Sequence, residues 1–186
     1  MYQTVGHDAV HLVARAMSLP LYRRVIEGVP LHIGPSFVAS AAKNSQQVDS
    51  LQTDETEDLY QLLLLVKQHH PDVQAVSVGA ILSNYQRFRV ETICSRPELS
   101  LQPLAYLWQR DQKELLGEMI DAGLDAVLIK VAGIGLRKSD LGKSIAVMQP
   151  KLNDLATKYG AHVCGEGGEY ETLTLDCLLF RRRIKM

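Results

Sequence analysis

The sequence predicts an α/β protein built on a mostly parallel sheet. Three observations carry this. The runs AVSVGAIL (residues 75–82) and AVLIKV (residues 126–131) are short, apolar and flanked by segments of helical period, the pattern of buried parallel strands. Capping residues and breakers alternate with them along the chain. The 186 residues, 46% hydrophobic and 22% charged, suffice for one domain or two small ones with a core.

Residues 8–18 read as a helix, because Val10, Val13, Ala14 and Met17 share one face. Pro20 ends it, and residues 21–26 read as a short strand. Residues 28–53, rich in Gly, Pro, Ser, Asn and Gln, read as a long loop. Thr53 can cap the next helix, whose first turn gathers Asp54, Glu55, Glu57 and Asp58, and which runs to about Gln68. Pro71 and Asp72 turn the chain into the strand at 75–82, and a helix follows over 84–95. A strand at 103–108 is expected beside 75–82 and parallel to it. Asp111 caps a helix reaching Ala122, closed by Gly123. After the strand at 126–131 comes a helix over 143–159, which Pro150 is expected to bend or split and Gly160 to close. Residues 161–164 read as a last strand entering a glycine stretch.

A net charge of −1 gives no electrostatic reason for a nucleic-acid partner. The longest apolar runs, such as residues 62–66, are too short to span a bilayer, and no basic-then-apolar leader stands at the N-terminus. Cys94, Cys164 and Cys177 are odd in number and fit no metal or redox spacing, which points to a reducing, cytoplasmic setting.

The first candidate site is GEGGEYET, residues 165–172. Its glycines can turn backbone N–H groups toward one point and form an anion-binding concavity. Glu166, Glu169 and Glu171 can hold a magnesium ion or accept from an ammonium or amino group. Alternation beyond Gly168 puts Glu169 and Glu171 on one face, and Tyr170, Thr172 and Thr174 on the other. The alternative is a Gly-Gly hairpin turn with solvated glutamates. The second candidate is SNYQRFRVE, residues 83–91, just past a predicted parallel strand, where open α/β sheets bind ligands. Ser83 and Asn84 offer polar groups at the helix start. Arg87 and Glu91 are spaced to pair, and Arg89 points elsewhere, toward a phosphate or carboxylate. The alternative there is an exposed helix with one surface ion pair.

Weaker signals are set aside. LGKS (141–144) lacks the first glycine of a P-loop, and GIG (133–135) lacks the third glycine of a dinucleotide fingerprint. HDAVH (7–11) imitates a zinc-protease helix without a third ligand. His69 and His70 read as solvated, and Trp108 as core or domain interface.

Together, GEGGEYETLTLDC, VGAILSNYQRFRVE and LQPLAYLWQR closely resemble the diphthine–ammonia ligase family of N-type ATP pyrophosphatases. MYQTVGHDAV, PLYRR and DETEDLYQLLLLVK are similar to that family too, so the resemblance covers all but residues 28–53. It implies a remnant of an adenine-nucleotide alpha-hydrolase-like parallel sheet over residues 1–109, and a smaller family-specific α/β domain over 110–186. It also implies a reaction. ATP with Mg²⁺ activates the carboxylate of diphthine, a modified histidine of elongation factor 2, as an adenylate. Ammonia then displaces AMP to leave the amide. Carried over by position, Glu166, Glu169 and Glu171 are the catalytic candidates, with Gly167, Gly168, Tyr170 and Thr172 on the substrate side. Ser83, Asn84, Arg87 and Arg89 would face the nucleotide, and no residue is assigned as a metal ligand.

The chain departs from the family in one respect. Its members carry a Ser-Gly-Gly-Lys-Asp-Ser loop that holds the ATP phosphates, and no such stretch occurs here. The expectation is therefore an N-terminally truncated product that binds ATP weakly or not at all. The alternative to a ligase is a catalytically inactive fragment acting at most as a binding module.

Overall fold

Among the described residues, four of the five α-helices start on an oxygen-bearing cap. The structure, a computed structural model, describes residues 5–29 and 54–185. The loop read over 28–53 thus lies, from residue 30, outside the described residues, as does Thr53. Helix α1 is Val10–Met17 and α2 is Glu55–His69, capped by Asp54. Strand β1 is Ala75–Ser77, α3 is Asn84–Cys94 capped by Ser83, and β2 is Gln102–Leu104. Helix α4 is Gln112–Asp121 capped by Asp111, β3 is Asp125–Val131, α5 is Ile145–Tyr159 capped by Ser144, and β4 is Tyr170–Asp176. In each case the side-chain oxygen accepts a backbone N–H of the first turn that has no partner inside the helix.

The chain forms two compact units: Tyr22–Trp108, and Met1–Leu21 with Gln109–Met186. In the first, β1 and β2 pair in parallel, with Val76 opposite Pro103. Their neighbours α2 and α3 enclose a core of Val90, Ile93, Cys94, Leu99 and Leu101, against which Leu59, Leu63 and Val76 pack. Both strands are shorter than the sequence predicts. Beyond β1, Gly79 is exposed and the chain bends, so Ala80 and Ile81 are buried outside the sheet. Beyond β2, the chain turns at residues 105–108, where Trp108 N–H returns to Ala105 O. Residues 21–26 form no strand: Leu21, Val25 and Ile26 are exposed. Asp58 holds this segment instead, accepting from Arg24 Nε (3.0 Å), Glu27 N (2.8 Å) and Gly28 N (2.9 Å).

In the second unit β3 and β4 are antiparallel, so the expectation of a mostly parallel sheet holds for one pair and fails for the other. The pleat explains the core. One face buries Leu116, Ala126, Leu128, Ile145, Met148, Leu152, Val163 and Tyr170 under α4 and α5. The other buries Ala16, Val127, Leu175 and Ile184, with Leu12, Val13, Ile129 and Leu173, under α1. Residues 161–164 are a turn, and not the strand expected. Pro150 neither splits nor ends α5. Pro150 and Ala146, whose carbonyl loses its usual donor, are both exposed, so the lost bond falls on the solvent side.

Between β3 and α5 the chain is pinned by one buried carboxylate. Asp140 accepts from Lys151 Nζ (2.5 Å), Lys143 Nζ (2.9 Å) and Arg137 N (2.9 Å). The lysines hold its carboxyl well below the usual range. A lowered folded pKa gives stability that is present above the unfolded value of about 3.9 and is lost as pH falls toward the folded one. Asp140→Asn should therefore destabilise the chain at pH 7 by about 1–3 kcal/mol. In urea melts the gap to the parent should close below about pH 3.9.

Candidate functional site: the glycine turn and its glutamates

The approach to β4 is a turn knotted on His162. Cys164 N and Glu166 N donate to His162 Nδ1 (3.2 and 3.4 Å), and Gly165 N donates to His162 O (2.9 Å). Gly168 N closes a second turn onto Gly165 O (3.0 Å). Gly165 and Gly168 have φ of 76° and 86°, a region that side chains with a Cβ rarely enter. Three backbone N–H groups of the stretch, those of Gly165, Glu166 and Gly168, are thus engaged within the turn.

It is not a turn of solvated glutamates. Glu169 folds back, and its Oε1 accepts from His162 N (2.8 Å). Its Oε2 is buried and has no hydrogen-bond partner among the described residues. The Glu166 side chain is only 10% exposed, with Oε2 3.4 Å from His162 Nε2. Glu171 sits in β4, where Oε1 accepts from Lys130 Nζ (2.7 Å) and Oε2 from Val5 N (3.2 Å). Glu171 is thus tied to the sheet, whereas Glu169 precedes the strand and is held, with Glu166, by the turn.

The remaining members of this candidate site frame it. The Tyr170 hydroxyl donates to Val163 O (2.6 Å) inside the core, and burial pushes its pKa up. Gly167 is exposed, but a Cβ there would meet Glu169 Oε1 at 2.7 Å. Thr172 lies in β4 opposite Leu128. Burial lowers the His162 pKa against the opposing pull of Glu166 and Glu169, and lifts the Cys164 thiol to about 11. Burial thus favours the uncharged imidazole and the thiol over their charged forms.

The second candidate stretch belongs to the other unit. Ser83 Oγ caps α3 through Gln86 N (3.2 Å), and Asn84 is exposed. Arg87 Nε faces Glu91 at 3.5 Å, and its guanidinium lies 4.1 Å from the Trp108 ring centroid. Arg89 is 1% exposed. It pairs with Asp54, stands 3.4 Å from Glu55 and lies over the Tyr85 ring. Its cation joins the start of α2 to α3 in the interior of that unit.

Sequence reasoning missed His162, because reading 161–164 as a strand hides a histidine that acts within a turn. The i, i+4 spacing to Glu166 was the available signal. It also missed Gln112, whose Oε1 accepts Val163 N (2.8 Å). Gly133, in the discarded GIG, donates to Glu169 O (2.9 Å), and a Cβ there would stand 2.8 Å from Glu169 Cβ. LGKS serves as a helix start, and HDAVH is a turn running into the first residues of α1, with His11 Nδ1 on Asp8 O. Among the described residues, no three His, Cys, Asp or Glu side chains are placed to hold a metal ion.

Residues 111–186 match the family model for the diphthamide synthase C-terminal domain. The chain is 58% identical to a diphthine–ammonia ligase of Danio rerio over 99% of its own length and 67% of that protein. It is 55% identical to the Homo sapiens protein of the same name and 52% to that of Schizosaccharomyces pombe, covering 64% and 28% of them. The chain thus spans about two thirds of the vertebrate relatives named here.

Two glycine substitutions separate backbone strain from crowding. At Gly142 (φ 78°) nothing lies within 4 Å of an added Cβ, whereas at Gly165 it would meet Tyr170 O at 3.0 Å and the Tyr170 ring at 3.1 Å. In chemical denaturation Gly142→Ala should cost about 1 kcal/mol and Gly165→Ala about 2–3 kcal/mol. Equal losses would contradict the packing described for the turn.

Proposed function

The chain belongs to the diphthine–ammonia ligase family, and from that premise we propose that it serves the ATP-dependent amidation of diphthine on elongation factor 2. The glycine turn is the side of the site that receives ammonia. One observation supports this above the rest: Glu169 Oε2 is a buried carboxylate oxygen with no hydrogen-bond partner among the described residues. A buried acceptor left unmatched is costly, and an N–H donor relieves it. Ammonium is such a donor, and must give up one proton before its nitrogen can act as a nucleophile. Glu169 Oε2 takes that proton, while Glu169 Oε1 stays fixed on His162 N. Glu166 places a second carboxylate against the His162 ring, and Glu171 remains with Lys130 as part of the sheet.

ATP with Mg²⁺ would supply the activation of the diphthine carboxylate. The acidic side chains described here form no metal cluster, so none is assigned to Mg²⁺. Elongation factor 2 sets the place of the reaction as the cytoplasm, and no described helix is long and apolar enough to cross a membrane. A second reading is a binding module without catalysis. Calorimetry with ATP separates the two, since the module would bind no nucleotide.

Glu169→Gln keeps the shape of the side chain and removes its basicity. In amidation of diphthine-bearing elongation factor 2, kcat/KM for ammonium should fall about 10²-fold, the scale of a lost general base. Unchanged kcat/KM in that variant would take Glu169 out of the reaction.

A further inference from the structure

The glycine turn contains a histidine that the reaction as described does not use. We infer that His162 is the positioning residue of the site: its Nδ1 closes the turn, and its Nε2, carrying the proton, aims the Glu166 carboxylate. The inference deepens the ammonia-receiving reading and rests on it for its catalytic meaning, while its geometry stands apart.

Each ring nitrogen has a distinct task. Two backbone N–H groups, of Cys164 and Glu166, point at Nδ1. A nitrogen that accepts cannot itself be protonated, so the one proton of the neutral ring sits on Nε2. Nε2 is buried, forms no hydrogen bond of its own among the described residues, and faces Glu166 Oε2 at 3.4 Å. A separation of this kind is a loose contact that shortens when a site fills. The opposite tautomer would set an Nδ1 proton against two N–H donors and a bare Nε2 against a carboxylate. The imidazolium would keep the first clash, and burial disfavours its charge. The backbone completes the device, because His162 N is the donor that fixes Glu169 Oε1. One residue therefore sets both glutamates: Glu169 through its main chain and Glu166 through its ring. Also against the turn are Gln112, bound to Val163 N and Cys164 Sγ, the Tyr170 hydroxyl on Val163 O, and Ala132 N and Gly133 N on Glu169 O. None of them competes for Nε2.

The direct test is ¹⁵N NMR of the histidine ring in the full chain, with two variants that divide its tasks. The expected spectrum has a pyridine-like Nδ1 and a pyrrole-like Nε2, and the Nε2 resonance moves in Glu166→Gln. His162→Asn keeps an acceptor near the Nδ1 position and loses the reach to Glu166. It should melt like the parent yet raise KM for ammonium roughly tenfold, the scale of one hydrogen bond to a charged group. His162→Gln places an amide nitrogen near the Nε2 position and should hold KM within about threefold of the parent. A protonated Nδ1, an imidazolium spectrum at pH 7, or an Nε2 signal indifferent to Glu166→Gln would overturn the inference. If the parent chain does not amidate, the functional reading fails, and the ring spectrum still decides the role of His162.

Discussion

The antiparallel entry of β4 onto β3 is the constraint on which the second unit depends. At the mouth of the pair, Ala132 N and Gly133 N both donate to Glu169 O (2.8 and 2.9 Å). The next residue, Tyr170, drops into the core and ties its hydroxyl to Val163 O. These bonds fix the residue on each side of the site stretch. From there the pleat distributes apolar side chains to α1 on one face and to α4 and α5 on the other. The turn must then fit between Val163, held by Gln112, and Glu169, held by β3. Glycines at 165 and 168 let the backbone make that return at positive φ.

The same constraint decides what the glutamates can do. A free Gly-Gly turn would leave them in water, where a carboxylate is satisfied and unselective. Here the return path folds Glu169 against His162 N and buries the far oxygen, and it brings Glu166 over the imidazole ring. The buried oxygens of Glu169 and Glu166 are the observation on which we propose ammonium as the donor received at this site. The cationic side chains named with it from the sequence are committed elsewhere: Arg89 to Asp54 and Glu55 in the core of the other unit, and Arg87 to Glu91 and Trp108.

Several local features were legible, although the strands read at 21–26 and 161–164 do not form. Caps at Ser83 and Asp111 depend on one side chain and the next three residues, and the strand at 126–131 depends on its own apolar run. The parallel pairing of β1 and β2 followed from a helix lying between them. The alternation of 169–174 was visible as well, but its partner was not. β3 lies some forty residues earlier in the chain, beyond a buried aspartate and a helix, and the pairing carries register shifts that no sequence period announces. Arg89 was singled out as facing a phosphate or carboxylate, but its partners and its burial were hidden for the same reason. An arginine on a helix reads as exposed until another helix presents two carboxylates to it. His162 escaped because its value lies in an Nδ1 that accepts from the backbone, a bond that exists only once the chain has turned.

The central claim, that the turn binds an amine donor through Glu169 and Glu166, needs no nucleotide to be tested. Amide NMR of the chain titrated with ammonium chloride, against sodium chloride at equal ionic strength, measures it directly. The account predicts saturable shifts at His162, Glu166 and Glu169 with ammonium alone, abolished in Glu169→Gln. Identical responses to the two salts, or ammonium shifts that survive that substitution, would contradict it.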